Sequence, residues 1–239
     1  MLTSTEKRSV IYEDGDLLVI DKPAGLVCHP TRDGEMSSLI GRVRLHLGST
    51  EGRLVNRLDR ETSGVVLIAK SATVARELGN LVARSEAVEK KYWAIVHGHL
   101  QDQHVVIDAP LGRDERSQVA IKDCVREDGA AARTSVDVVK RLERDGEPFT
   151  WVDVTPATGR KHQIRIHLAH IGHPIVGDKI YGRDELIYLR FVTNTLTDAD
   201  RRALVVEHHA LHARSLAFEW RGRHWIFEAP ANDAWLKWS

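Results

Sequence analysis

The 239-residue sequence predicts an α+β fold with a largely antiparallel, mixed β-sheet flanked by helices and loops. Segments with the apolar pattern of strands outnumber those with a helical pattern, and most follow one another through short turns. No internal repeat, low-complexity segment or linker interrupts the chain. We therefore expect one domain over residues 1–239, with a substantial buried core.

The first predicted elements are two strands and a helix. Residues 10–29 contain two apolar stretches, separated by a turn at Glu13 to Asp16 and followed by the break K-P-A-G. Apolar residues at helical spacing between Ser37 and Leu47 then predict a helix, with Ser37 or Ser38 as its N-cap.

The segment L-V-N-R-L-D-R-E-T-S-G-V-V-L-I-A-K, residues 54–70, is the densest in the chain. Its apolar run Val65 to Ala69 is rich in β-branched residues and predicts a buried strand. Asp59 lies just before that strand, between Arg57 and Arg60. A loop fixed by a rigid strand is a common way to present a catalytic group, although an isolated Asp-Arg pair more often forms an ordinary salt bridge.

Residues 71–98 predict a helix followed by a strand. The helix, Ser71 to Ala83, is amphipathic. The strand, Val88 to Gly98, contains Tyr92, which ordinary packing in a half-buried strand would explain. From His99 to Arg133 the chain is polar and predicts a loop or small hairpin excursion, and residues 134–142 and 149–156 predict an antiparallel hairpin.

Residues 158–181 form a second dense stretch. Ile164, Leu168 and Ile171 give a helix one buried face. Arg165 lies next to that face, so it must reach either solvent or a carboxylate. The histidines at 162, 167, 170 and 173 invite a metal site, but no H-E-x-x-H pattern, cysteine pair or clear carboxylate ligand accompanies them, and we expect no metal.

The last part of the chain predicts an insertion, two strands and a terminal helix. Residues 183–209 are strongly charged and are interpreted as a surface insertion, with a short helix from Asp198 to Val206 capped by Thr197. Strands follow at 211–220 and 224–229. In the tail, Trp235 and Trp238 are expected to pack onto the body of the protein.

Composition narrows the class of protein. The 34 basic residues balance 34 acidic ones, which argues against a protein that coats nucleic acid through overall charge but leaves room for a local basic cleft. No apolar run is long enough to span a bilayer, and residues 1–9 lack the apolar core of a secretory signal, so a cytoplasmic location is expected. Cys28 and Cys124 are expected to be reduced, structural thiols.

Several separated motifs, taken together, resemble the RluA family of RNA pseudouridine synthases from about residue 10 to about residue 229. The motifs are D-K-P-A-G at 21–25, N-R-L-D-R-E-T-S-G at 56–64, K-Y-W-A at 91–94, T-G-R-K-H-Q-I-R-I-H at 158–167, G-D-K-I-Y-G at 177–182 and L-H-A at 211–213. The resemblance implies the pseudouridine synthase fold. Because the first motif begins near residue 10, it also implies a member without the N-terminal S4 RNA-binding domain.

The resemblance implies that the chain isomerises uridine in RNA. Uracil leaves C1′ through N1, turns, and rejoins through C5. Asp59 matches the family's catalytic aspartate, which acts as nucleophile or base. Arg165 matches the basic residue that pairs with that aspartate, and Tyr92 matches the tyrosine that stacks on the target base. Arg57 matches the arginine that helps fill the space left by the extruded base.

The remaining expectations concern the RNA and the alternatives. Arg60, Arg160, Lys161 and His162 are expected to contact phosphates, and a monomer acting without cofactor on a tRNA arm or a ribosomal stem-loop is expected. Asn56 stands where the family usually has histidine. The alternatives are a catalytically silent RNA-binding protein on the same fold and, less favoured, a metal-dependent hydrolase that uses the histidine cluster.

Overall fold

A computed structural model describes residues 9–32, 34–84 and 87–231, together with Trp235 and Trp238. The strands in chain order are β1 Val10–Glu13, β2 Leu17–Lys22, β3 Arg53–Leu54, β4 Ser63–Ala69, β5 Val88–His97, β6 His104–Asp108, β7 Leu111–Arg113, β8 Asp123–Val125, β9 Arg133–Arg144, β10 Glu147–Pro156, β11 Leu211–Trp220 and β12 Arg223–Glu228. The α-helices are α1 Leu39–Leu47, α2 Ala72–Ala83, α3 Gln163–His170, α4 Leu186–Val192 and α5 Asp198–Leu204, and a 3₁₀ turn spans Glu35–Ser37.

The chain forms two compact units. The first comprises Met1–Lys90 and His212–Ser239, and the second comprises Lys91–Leu211. In the first, β4 pairs antiparallel with β2 and β3 and parallel with β11, while β1 and β12 pair antiparallel with β2 and β11. In the second, the order β5-β10-β9-β6 is antiparallel throughout. The predicted α+β class with a largely antiparallel, mixed sheet is confirmed; the single domain stays a prediction.

The core of the first unit is built around β4. All seven of its residues are buried, as the continuous apolar run predicts. Its side chains share a cluster with Leu17 and Val19 of β2, Leu78 of α2 and the aromatic residues of β11 and β12. The predicted buried strand after Asp59 is therefore confirmed, and this strand holds one end of the Asp59 loop.

Two helices start at predicted caps, Ser38 and Thr197, and Ser71 caps a third. The Ser38 hydroxyl accepts a hydrogen bond from the backbone N–H of Gly41 at the start of α1, and the Ser71 hydroxyl does the same for Val74 in α2. Thr197 and Asp200 form a reciprocal capping box on α5. These side chains satisfy N–H groups that have no partner inside the helix, which is why the local sequence identifies them.

The second unit both confirms and corrects the prediction. The hairpin of β9 and β10 is present, and its turn residues Asp145 and Gly146 have φ of 54° and 78°. Within the excursion at 99–133, β7 and β8 form the small hairpin, but β6 is a strand of the main sheet, paired with β9. Only Ile107 of β6 is fully buried, so this edge strand carries little apolar signal.

The segment 183–209 contains two helices, of which only α5 was predicted. Arg190 of α4 joins them by binding both carboxylate oxygens of Asp200, at 2.8 and 2.7 Å. Ile187 and Leu204 are buried, so each helix contributes to a packed face. The predicted terminal helix falls largely outside the described residues, but the side chains of Trp235 and Trp238 are buried as expected. Within the described residues, no helix is long and apolar enough to cross a membrane.

Candidate active site

Asp59 lies on the loop between β3 and β4, in the first unit. Its side chain is half-buried, whereas Arg57 and Arg60 on either side are exposed. The backbone N–H of Thr62 donates to the Asp59 carbonyl at 3.2 Å, which closes a turn at the carboxylate. The sequence expectation that a polar loop presents Asp59 just before a core strand is therefore met.

Lys22 holds the Asp59 loop at Arg60, the residue that follows Asp59. The side chain is fully buried, and its amine donates to the carbonyls of Pro23, Leu26 and Arg60 at 2.9, 2.8 and 3.1 Å. Burial lowers the pKa of the amine to about 8, and the negative charges of Asp59 and neighbouring groups oppose that shift. Three donated hydrogen bonds use the three hydrogens of the ammonium form, and they tie the K-P-A-G turn to the residue after Asp59. From the sequence alone, this lysine is only part of a predicted turn.

Asn56 joins the same loop to β4. Its side-chain amide donates to the Val65 carbonyl at 3.1 Å and accepts from the Leu67 N–H at 2.7 Å. Because the Val55 N–H also donates to the Leu67 carbonyl, the side chain continues the ladder that β3 begins. The Asn56 side chain therefore binds the backbone of β4 at both Val65 and Leu67.

Cys28 packs behind the loop. Its sulfur lies 3.4 Å from the Leu58 carbonyl and 3.5 Å from the Leu58 nitrogen. Burial raises the pKa of this thiol, and it also raises that of Cys124. Both cysteines are free thiols, Cys28 buried and Cys124 partly exposed. Their structural role stays a prediction.

Gly64 and Ser63 begin β4 at its closest approach to β11. Gly64 has φ of 111°, and a Cβ placed on it would lie 2.2 Å from the carbonyl oxygen of Ala213. The Ser63 hydroxyl is 2.8 Å from Nδ1 of the fully buried His212. The T-S-G and L-H-A motifs thus meet in one parallel contact that fixes the end of the Asp59 loop.

Arg165 forms a buried ion pair in the second unit. Its Nε lies 2.7 Å from Oδ2 of Asp178 and its Nη2 lies 2.9 Å from Oδ1. Oδ1 also accepts from the backbone N–H groups of Ile180 and Tyr181. Burial opposes ionisation of Asp178, but the charge and hydrogen bonds of Arg165 prevail and hold its pKa below the ordinary value. Of the two expected partners for Arg165, solvent or a carboxylate, the structure shows a carboxylate, that of Asp178. The pairing of Arg165 with Asp59 stays a prediction.

Tyr181 connects this ion pair to the R-K-H loop. The Arg165 guanidinium lies over the Tyr181 ring, 5.1 Å from its centroid. The Tyr181 hydroxyl accepts from the Asp123 N–H at 3.1 Å and lies 2.9 Å from Nδ1 of His162. One buried side chain therefore contacts α3, β8 and the loop before α3.

The loop before α3 brings together three of the predicted RNA contacts, Arg160, Lys161 and His162. Gln163 holds it, since its amide oxygen accepts from the Arg160 N–H and its amide nitrogen donates to the carbonyl of Arg133. Lys161 forms a 2.8 Å ion pair with Asp123 while half of its side chain remains exposed. The other predicted contacts, Arg57 and Arg60, flank Asp59 in the first unit.

Tyr92 and the buried His167 also lie in the second unit. Tyr92 is half-buried on β5, opposite Val154 of β10. His167 uses both ring nitrogens inside the protein, at 2.8 Å from the Thr134 hydroxyl and 2.9 Å from the Ala109 carbonyl. The part of the chain that the structure describes contains no group of three or more histidine, cysteine or acidic residues placed to hold a metal.

Comparison with known proteins agrees with these motifs. Residues 16–170 match the family model described as RNA pseudouridylate synthase. The chain is 35% identical over 239 residues to Ribosomal large subunit pseudouridine synthase D of Pseudomonas aeruginosa, covering 96% of this chain and 66% of that protein. It is 33% identical over 218 residues to Dual-specificity RNA pseudouridine synthase RluA of Vibrio parahaemolyticus, covering 91% and 80%.

Comparison of the fold with solved structures also identifies a pseudouridylate synthase domain. The solved structure of Human RNA Pseudouridylate Synthase Domain Containing 1 superposes with a TM-score of 0.74 at 25% identity, over 93% of this chain and 83% of that one. The fold is thus that of a pseudouridylate synthase domain. The chain belongs to the RNA pseudouridylate synthase family, whose members are isomerases.

Proposed function

We propose that this protein isomerises specific uridines in a structured RNA to pseudouridine, with Asp59 as the catalytic carboxylate. The observation that carries the proposal is the way the first unit holds the Asp59 loop. Lys22 binds the carbonyl of the next residue, Asn56 clamps the approach to β4, and Gly64 permits the close contact with β11. A catalytic carboxylate must be held in place in this way if it is to react at one atom of its substrate.

The proposed reaction needs one ionised carboxylate. The bond between N1 of uracil and C1′ breaks, and Asp59 either attacks C1′ or removes a proton from C2′. Uracil then turns and C5 bonds to C1′, which frees Asp59 from C1′ or is accompanied by return of the proton to C2′. The proton on C5 leaves to solvent, and N1 takes up a proton in its place. The released uracil is the group that returns, so the atoms balance without a cofactor.

Arg165 and Tyr92 are proposed to act with Asp59. A guanidinium near the carboxylate favours its charged form. Asp178 supports that role, since it binds Nε and Nη2 of Arg165 and fixes the plane of the guanidinium. The Tyr92 ring suits stacking on the turned base, with its hydroxyl as a polar group near C5.

The target base must leave its stack before C1′ can react. Arg57 is proposed to fill the vacated space, and Arg60, Arg160, Lys161 and His162 to contact phosphates. The Pseudomonas relative is named for the large ribosomal subunit. We propose a tRNA arm or ribosomal stem-loop as substrate and a monomer in the cytoplasm as the acting form.

The test is release of tritium from RNA labelled at C5 of uridine. We expect release by the wild-type protein with or without a chelator, and loss of at least about a thousandfold in Asp59→Asn, a change that preserves shape but removes the charge. Binding of the same RNA without release would favour the silent RNA-binding alternative. Release that a chelator abolishes would instead point to the metal-dependent alternative. Sequencing of RNA from a deletion strain by a pseudouridine-specific chemistry would then identify the uridine.

A further inference from the structure

We propose that Tyr181 is a positioning residue that holds His162 as the neutral imidazole with its hydrogen on Nε2, and that this N–H donates to a phosphate of the RNA. The RNA part of this inference rests on the proposed function. The part that concerns the histidine ring depends only on contacts within residues 111–182.

Tyr181 is itself held from several sides. Its backbone N–H donates to Oδ1 of Asp178 at 3.0 Å, and its ring lies beneath the Arg165 guanidinium. Its side chain is buried among apolar residues that include Leu111, Val119 and Ile166. The hydroxyl therefore occupies a fixed position, because moving the ring would disturb a buried ion pair.

The hydrogen-bond inventory of the hydroxyl determines the state of His162. A backbone N–H can only donate, so the Tyr181 oxygen accepts from Asp123 at 3.1 Å. The oxygen keeps a second lone pair, but if it accepted from His162 as well, the hydroxyl hydrogen would have no acceptor among the described residues. The hydroxyl therefore donates to Nδ1 of His162, 2.9 Å away. Donation to Nδ1 requires that nitrogen to be unprotonated. The imidazole is then neutral with its hydrogen on Nε2.

His162 lies where an N–H donor is useful to a phosphate. It has φ of 56° and immediately precedes α3, and its carbonyl accepts from the Ile166 N–H. The two residues before it, Arg160 and Lys161, are exposed cations. Asp123, whose N–H binds Tyr181, also pairs with Lys161 through its carboxylate. The Tyr181 hydroxyl therefore aligns a donor and a cation on the same short loop.

The first test needs no RNA. In the wild-type protein, two-bond ¹⁵N–¹H spectra of the histidine rings should show His162 with an unprotonated Nδ1 and a protonated Nε2 at neutral pH. In Tyr181→Phe the ring should become a mixture of tautomers. Tyr188→Phe, a half-buried tyrosine on α4, is the matched control and should leave the His162 signals unchanged. A wild-type ring protonated on Nδ1 would overturn the proposal whether or not the variant folds.

The second test uses the RNA substrate. Tyr181→Phe should raise KM for RNA about fivefold to tenfold with kcat nearly unchanged. The double variant Tyr181→Phe/His162→Gln should be no worse than His162→Gln alone, because both changes remove one interaction. Additive losses, or a fall in kcat alone, would contradict the phosphate role. If wild-type protein binds RNA but releases no tritium, the proposed function fails while the same comparison of Kd values still tests this inference.

Discussion

Arg165 and Asp178 form a two-pronged ion pair inside the second unit, with Nε 2.7 Å from Oδ2 and Nη2 2.9 Å from Oδ1. Arg165 comes from the middle of α3, and Asp178 closes a turn in which its N–H donates to the Ile175 carbonyl at 3.1 Å. Both side chains are buried, so the ion pair holds the guanidinium in one orientation in the folded protein. A mobile arginine would have to be ordered at each encounter with substrate.

Asp178→Asn should therefore damage both stability and activity. The amide keeps the shape but loses the charge, so the buried guanidinium of Arg165 loses the carboxylate that binds its Nε and Nη2. We expect a loss of about 3–5 kcal/mol in the free energy of unfolding in urea, together with a large fall in tritium release. Asp137→Asn is the control, since Asp137 forms an exposed pair with His104 that should contribute less than about 1 kcal/mol. Equal urea midpoints for the two variants would contradict the prediction that the buried ion pair stabilises the protein more than the exposed one.

Lys22→Met tests the support of the Asp59 loop. Methionine fills a similar volume but leaves the carbonyls of Pro23, Leu26 and Arg60 without their donor. The variant should lose at least about 2 kcal/mol in unfolding free energy, and kcat should fall as the loop relaxes. The exposed Lys140→Met is the control and should change neither quantity by much. A Lys22→Met protein with wild-type kcat would show that the loop is held by other contacts.

Two glycines give opposite expectations for the same substitution. At Gly64, alanine would meet the backbone of Ala213 and adopt a strained positive φ, so we expect more than about 3 kcal/mol of destabilisation or failure to fold. At Gly79, exposed in α2 with no atom near the added methyl group, alanine should stabilise by about 1 kcal/mol. Thermal unfolding of the two variants measures the difference, and a well-folded Gly64→Ala protein would mean that the contact with β11 can shift.

Acidification should expose the cost of burying His212. Burial lowers the pKa of this imidazole to about 4, from 6.5. Between pH 6.5 and pH 4, His212 is protonated in the unfolded chain but neutral in the folded protein. The free energy of unfolding therefore falls as the pH falls through this range. Near pH 4, His212 should lower the free energy of unfolding by about 3 kcal/mol. His212→Gln should flatten this slope in urea unfolding, and His104→Gln, at an exposed site, should not. Parallel slopes for wild type and His212→Gln would refute the prediction.

Local sequence predicted those elements whose signal is local. The apolar run of β4 and the caps Ser38 and Thr197 satisfy requirements of their own backbone, so neighbours in sequence identify them. The helix α4 and the strand β6 were missed for the opposite reason. Seven residues make an unstable helix by themselves, and α4 depends on packing of Tyr188 and Leu189 against the cluster around Tyr181.

The site shows the same division. The Asp59 loop could be located because a strand signal follows it directly. For Arg165 the sequence left either solvent or a carboxylate as partner and contains 34 acidic residues. The pairing with Asp178 depends on how the chain returns after α3. The role of Lys22 was missed because one of its three acceptors, the carbonyl of Arg60, lies 38 residues away along the chain.

The enclosure of Lys22 makes it a natural chemical reporter. Amine-reactive acylating reagents need a solvent-accessible, deprotonated nitrogen, and this nitrogen is surrounded by three carbonyl groups with no exposed side-chain surface. Lys161, half exposed, should be modified at once. The rate at which Lys22 is acylated, read by mass spectrometry, would therefore report how often the segment that carries Asp59 opens in the folded enzyme.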